Sequence, residues 1–400
     1  MNQAFAASSH LMGVYNRAPL AFARGEGSRL WSTDGDIYLD CVAGIATDAL
    51  GHANPVLVEA LKRQAEKLWH VSNIYRIPEQ EALAARLCAE TFADVVFFTN
   101  SGTEAVECAL KLVRKHHAAK GSPDKFEIIG FEGSFHGRTY GAVNAAGNPG
   151  YVEGFGPRLP GYVNLPFNDL EALKGAIGPN TAAVIIEPVQ GEGGARAATD
   201  EYLRGLRQLC DEHEALVIFD EIQCGMGRTG KLFCYEWAGI VPDVMTVAKA
   251  LGGGFPVGAC LATADAASGM TVGAHGSTFG GNPLAMAVGM AAFNEIAKPE
   301  TLQHVNEVAG YLNQQLEGLK QRYPDVIVDI RGRGLLIGVK LIPNNREFMA
   351  IARDYHLLVA GGGDNCVRLL PALTLTVEDA REAIVKFEQA CEAVRAKTVA

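Results

Sequence analysis

Short runs of β-branched and aromatic residues recur along the chain, each bounded by glycine or proline: Val95 to Thr99, Phe126 to Phe131, Ala183 to Glu187, Leu216 to Asp220 and Val244 to Ala248. Their apolar character is nearly continuous, which predicts strands covered on both faces. Between them the period lengthens. Thr103 to Lys115 puts Val106, Ala109, Leu110 and Val113 on one face of a helix, and Tyr202 to His213 predicts a helix linking two of the strands. Strands alternating with helices predict an α/β fold built on a mostly parallel sheet.

From about Ala285 the texture changes to longer helical stretches, then RGRGLLIGVKL, CVRLLP and a final helix. Near the start, WSTDGDIYLD reads as a hairpin around Asp34-Gly35. The expected division is a large domain over residues 46–285 and a smaller α+β domain over 286–400, which residues 1–45 join. The chain carries no internal repeat and no low-complexity linker.

Composition narrows the function. A chain of 400 residues, 48% hydrophobic and 20% charged, can bury a large core. No run approaches the roughly 18 apolar residues of a membrane helix, and the start MNQAFAASSHLMG lacks a basic region feeding an apolar one, so a cytoplasmic protein is expected. The net charge of −10 is spread without a basic patch, which disfavours nucleic acid and anionic membranes and leaves a small-molecule substrate. Nine scattered cysteines with no CxxC or zinc spacing read as reduced thiols, with no metal site.

In open parallel sheets ligands bind beyond the carboxyl ends of the strands, so the residues after each strand carry the chemistry. Leu216 to Asp220 runs into EIQCGMGRTGKL, an acid pair followed by GxxxxGK. Leu232 stands where a phosphate loop needs a Ser or Thr hydroxyl, and the acids precede the loop, so the match to a nucleotide-hydrolase motif fails. After Val95 to Thr99 comes NSGTEA, a glycine turn opening a helix, whose free N–H groups and dipole favour an anion. The same residues also spell an ordinary capping box, Ser101 with Glu104. EGSFHGRTYG brings together Phe135, His136 and Arg138; a core aromatic is the lesser reading of Phe135, and His136 receives no chemistry. Lys249 ends the Val244 strand, where burial would lower its pKa and make its amine nucleophilic toward an aldehyde. An anion cradle, a ring-sized aromatic, an aspartate and a partly buried lysine together suit pyridoxal phosphate, with Asp220 facing the ring nitrogen instead of a magnesium ion.

With IIEPVQGEGG, DEIQCGMGRTGK, TVAKALGGGFPVG and HGSTFGGNP in this order, the sequence resembles the class III aminotransferases from about Tyr15 to Pro371. NRAPLAF and KLWHVSNIYR point to their bacterial acetylornithine branch. The resemblance implies the fold-type I architecture, with a seven-stranded, mostly parallel sheet, and a homodimer whose active sites are shared between subunits. It implies that Lys249 condenses with the cofactor and shuttles the substrate proton, that Asp220 pairs with the ring nitrogen and that Gln223 bonds near the ring hydroxyl. Ser101, Gly102 and Thr103 would hold the phosphate, with Thr278 from the partner subunit, and Phe135 would stack on the ring. Arg138, Ser277 from the partner subunit, Arg368, Glu192 and Tyr15 would handle substrate, Glu192 masking Arg368 in one half-reaction, while Glu187 would be a structural support. The implied reaction moves the δ-amino group of N-acetylornithine to 2-oxoglutarate, giving glutamate in arginine biosynthesis. Succinylornithine, succinyl-diaminopimelate, ornithine and 4-aminobutyrate are the alternative donors, and a non-catalytic binding protein the alternative of another class. Two departures bear on this: Thr103 stands where the family more often has alanine, and Arg76 where ornithine δ-aminotransferases carry a tyrosine.

Overall fold

The computed structural model describes residues 10–399. Residues 1–9, which hold most of the stretch read for a leader and the start of the N-terminal segment, lie outside the described residues, as does Ala400.

At the centre is a seven-stranded sheet. In spatial order its strands are Val95–Thr99, Gly258–Ala262, Val244–Val247, Leu216–Asp220, Thr181–Ile186, Glu127–Phe131 and Tyr162–Leu165. Gly258–Ala262 runs antiparallel to both neighbours and the other pairings are parallel, which is the mixed α/β architecture that the alternating pattern predicts. The continuous apolar runs have the expected cause. Along Leu216–Asp220, Val217 and Phe219 enter one buried cluster, while Leu216 and Ile218 enter another on the opposite face. Helix Gly102–Ala119 covers the second face with Val106, Ala109, Leu110 and Val113, all buried. Helix Asp200–Glu212 covers the first with Tyr202, Leu203, Leu206 and Cys210, and the Thr199 hydroxyl caps it by accepting from Tyr202 N.

The sequence pattern shows five of the seven strands. Observed ends differ from the predicted ones by a residue or two, because strand ends are set by pairing with a neighbour. Gly258–Ala262 and Tyr162–Leu165 escape notice, the first because GACLA has no β-branched residue. Its glycine has a reason: a Cβ at Gly258 would lie 2.6 Å from both Ser101 O and Thr99 Oγ1, so the strand could not pass this close to the start of the helix at Gly102.

The Asp34-Gly35 hairpin forms, with Arg29–Ser32 antiparallel to Ile37–Asp40. Ile37–Asp40 also pairs with Leu357–Leu358, tying the N-terminal strands to the C-terminal part of the chain. A further four-stranded sheet contains Ile327–Arg333, Leu336–Leu341, Cys366–Leu369 and Ala360–Gly362. The texture change near Ala285 falls inside helix Pro283–Ile296, which starts earlier because Asn282 caps it and Pro283 fits its first turn. Among the described residues no helix is long and apolar enough to cross a membrane, and no group of three His, Cys, Asp or Glu is placed to hold a metal ion.

Gly258→Val should lower the free energy of unfolding by about 1–3 kcal/mol, the usual range for overpacking a filled core. A denaturant titration reads this as an earlier midpoint; an unchanged midpoint would mean that the strand shifts freely.

Candidate active site

Five strand ends converge on one cavity of about 410 Å³, within the size range of small-molecule sites. Its wall includes Ser101, Gly102 and Thr103 after the first strand, Phe135, His136 and Arg138 after the second, Asp220 and Gln223 at the centre, and Lys249.

Asp220 is 2% exposed, and a buried carboxylate needs donors on every side. His136 Nδ1 lies 2.6 Å from Asp220 Oδ2, while Thr246 Oγ1 and Ile222 N donate to Oδ1 at 3.2 and 3.1 Å. Burial alone would depress the basicity of His136, but its bond to Asp220 and the charges of Asp220 and Glu187 raise its pKa on balance. Its other nitrogen, Nε2, is buried with no hydrogen-bond partner among the described residues. Glu187 fixes the backbone here, accepting from Phe135 N at 2.8 Å and Gly191 N at 3.2 Å; burial first, and Asp220 after it, push its pKa up to about 7.

Lys249 follows the Val244–Val247 strand at φ 44°, in the left-handed region that a lysine rarely occupies. It is enclosed by protein with partial exposure through the cavity, and that desolvation lowers its pKa. A larger fraction of neutral amine follows, as a nucleophile toward an aldehyde requires.

At the helix start, Ser101 Oγ accepts from Glu104 N and donates to Glu104 Oε2, and Asn100 N donates to Glu104 Oε2 at 2.8 Å. Ser101 therefore caps the helix, with the reciprocal bond of Glu104 going to Asn100 N in place of the N-cap amide. This cap leaves the first-turn amides of Gly102 and Thr103, both lining the cavity, as anion donors. Thr103 Oγ1 is 3.0 Å from Thr139 Oγ1 beside Gly137, which has φ 118° and where a Cβ would overlap the Thr103 side chain.

The two arginines differ. Arg138 is exposed at the cavity, stacked 4.1 Å from the Tyr151 ring centroid, with no ion-pair partner among the described residues. Arg368 is 1% exposed and saturated: it pairs with Glu192 Oε1 at 2.8 Å and donates to Gln223 Oε1 at 3.2 Å and to Gly361 O.

The family model "Aminotransferase class-III" matches residues 13–391. Acetylornithine aminotransferase 2 of Caulobacter vibrioides is 72% identical over 393 residues, spanning 98% of this chain and 97% of that protein. The chain belongs to the class III aminotransferases. Among solved structures it is similar to N-acetylornithine aminotransferase from Stenotrophomonas maltophilia K279a, with a TM-score of 0.85 at 37% identity over 96% of this chain and 98% of that one. It is also similar to ornithine aminotransferase from Toxoplasma gondii ME49, with a TM-score of 0.94 at 30% identity over 98% and 95%.

Enzymes of this family use pyridoxal phosphate, and the donors around the cavity fit it: an amine for its aldehyde, a carboxylate for its ring nitrogen and two free amides for its phosphate. Tyr15, 70% exposed beneath Arg17, is away from the cavity wall. Thr278 is exposed, and Ser277 reaches the wall only through its bond to Asn100. Arg76 points to solvent, paired with Glu81. His136 is the residue that sequence reasoning missed, since a histidine in a glycine-rich loop gives no sign that it will meet a strand 84 positions away.

Glu221, once paired with Asp220 as a metal acid, turns the other way and accepts from Cys234 N and Tyr235 N. Burial pushes its pKa up to about 8 from 4.5. As pH rises above 4.5 the unfolded chain releases this proton and the folded chain does not, so stability falls until about pH 8. Glu221→Gln should flatten that part of the stability profile, measured as denaturant midpoints across pH; an unaltered slope would place the titration elsewhere.

Proposed function

We propose that this enzyme transfers the δ-amino group of N-acetylornithine to 2-oxoglutarate in a ping-pong cycle, yielding N-acetylglutamate semialdehyde and glutamate, as a step of arginine biosynthesis in the cytoplasm. The observation that carries the reading is the asymmetry of the arginines, one free and one masked. Pyridoxal phosphate, when bound, supplies an aldehyde for the amine and a ring that draws electrons from the adjoining carbon. Lys249 holds the aldehyde, then moves the proton between substrate and cofactor carbons. Asp220, with His136 behind it, stabilises a protonated ring nitrogen. Gln223 keeps Nε2 to donate near the ring hydroxyl, because Arg368 occupies its Oε1. The Gly102 and Thr103 amides and Ser101 hold the phosphate, and Phe135 covers the ring, its backbone fixed by Glu187.

Arg138 takes the carboxylate of the acylated donor, while Glu192 keeps Arg368 neutralised. For the dicarboxylate, Glu192, a third exposed, swings aside and Arg368 binds the second carboxylate. The donor's acyl group, carried by the nitrogen on the carbon beside that carboxylate, falls near Arg138. There a second hollow of about 250 Å³ is lined by Val143, Val152, Phe155 and Pro157 together with Tyr140, Asn144 and Tyr151. Unacylated ornithine would put an ammonium in that hollow beside a guanidinium and with no carboxylate in its wall, which disfavours it. Succinylornithine is the second reading, since a longer acyl group could use the same space.

A homodimer completes the site. Asn73 Nδ2 donates to Ser277 O and Gly280 O, joining segments 68–76 and 272–280 into a surface that leaves Trp69, Ile74, Tyr75 and Phe279 exposed. Such a patch suits a second copy, with Thr278 and Ser277 offered to the partner's cavity.

Protein loaded with cofactor should lose its visible absorbance on adding N-acetylornithine and regain it with 2-oxoglutarate; colourless protein that hydrolyses ATP with magnesium would sink the proposal. Lys249→Ala should lower kcat at least about 10⁴-fold, because both the covalent link and the proton shuttle go. In a donor panel, kcat/KM should rank N-acetylornithine above ornithine and 4-aminobutyrate.

A further inference from the structure

Arg228 shares with Arg368 the place of largest side chain buried to below 2% exposure, and no carboxylate among the described residues pairs with Arg228. Its Nη1 donates to Pro371 O at 2.5 Å and Leu335 O at 3.2 Å, while its own carbonyl accepts from Leu335 N at 2.9 Å. Nε and Nη2 have no hydrogen-bond partner among the described residues. Desolvation without an opposing charge pushes its pKa down to about 9. A lone cation in a protein interior is a poor source of stability, so its position calls for another explanation.

The geometry supplies one. Arg228 lies in the turn that follows Gln223, whereas Leu335 and Pro371 flank the two paired strands Leu336–Leu341 and Cys366–Leu369, the second of which carries Arg368. One guanidinium thus grips the end of that strand pair where Leu335 and Pro371 come together, and fastens it to the Gln223 turn. Gln223 and Arg368 meet at 3.2 Å across this junction. We infer that Arg228 is a positioning residue for the dicarboxylate half-reaction: it sets the depth at which Arg368 stands against Gln223 and Glu192, and therefore the affinity for the co-substrate's second carboxylate. A bidentate arginine contact is demanding of geometry, so a small displacement weakens it sharply. Arg138, whose neighbour Thr139 is held by Thr103 and Glu107, shares no hydrogen bond with this clamp.

The inference rests on the proposed reaction and is tested with the cofactor-loaded enzyme. Arg228→Met and Arg228→Lys are compared with the unaltered protein in separate half-reactions, followed by cofactor absorbance. In Arg228→Met the KM for 2-oxoglutarate should rise about tenfold, while the rate with N-acetylornithine stays within about twofold. Arg228→Lys keeps the charge but not the planar fork, and should shift the same parameter in the same direction by less; it carries the comparison alone if the Met variant does not fold. Equal losses in both half-reactions would mean general structural damage and overturn the inference, as would no change in either. If the unaltered enzyme fails to turn over 2-oxoglutarate, the reaction itself is wrong and the inference falls with it.

Discussion

A carboxylate buried at the end of a central strand is the charge around which the pocket is arranged. An isolated ion in such a place is costly, and Asp220 is tolerated because a histidine, a threonine hydroxyl and a backbone amide surround it. Each donor comes from a different piece of chain. The histidine requires the 133–138 loop to come in over the sheet, the threonine requires the neighbouring strand in register, and the amide requires the turn toward Gln223. Satisfying one carboxylate therefore fixes three of the segments that line the cavity, and Phe135, Arg138 and Gln223 are carried into place with them. The remaining orientation of Asp220, toward the cavity, is where a positively charged ring would complete the set.

The second organising feature is an imbalance of exposed and sealed positive charge. Arg138 lies open to solvent over an aromatic ring, whereas Arg368 is neutralised by Glu192 and spread over Gln223 and Gly361. A site that must receive one carboxylate in one half of its cycle and two in the other needs such a removable counter-charge, since a permanently free second arginine would hold the wrong substrate as readily as the right one.

Much of this was readable in the residues. Apolar runs ending in Asp220 and Lys249 are informative because a charge at the inner end of a buried strand has no solvent to go to, and the helix from Gly102 shows in its spacing. What escaped has physical reasons. The strand Gly258–Ala262 opens on a glycine required by close approach to Ser101, a tertiary constraint that no local propensity expresses. The bond between His136 and Asp220 joins residues far apart in sequence. Arg228 and Glu221 spell part of a phosphate-loop pattern, yet both turn inward to backbone partners. Tyr15, Ser277 and Thr278 came from motif matching alone, and Tyr15 and Thr278 lie exposed, off the cavity wall.

The most direct measurement is the rate at which the cofactor-loaded Asp220→Asn variant accepts an amino group from N-acetylornithine in a single turnover. The amide keeps the shape but cannot balance a positive ring, so the rate should fall about 10²- to 10³-fold, the range for removing one preorganised electrostatic contact. A rate equal to that of the unaltered enzyme would contradict the role assigned to this carboxylate, and with it the account of why the pocket is built as it is.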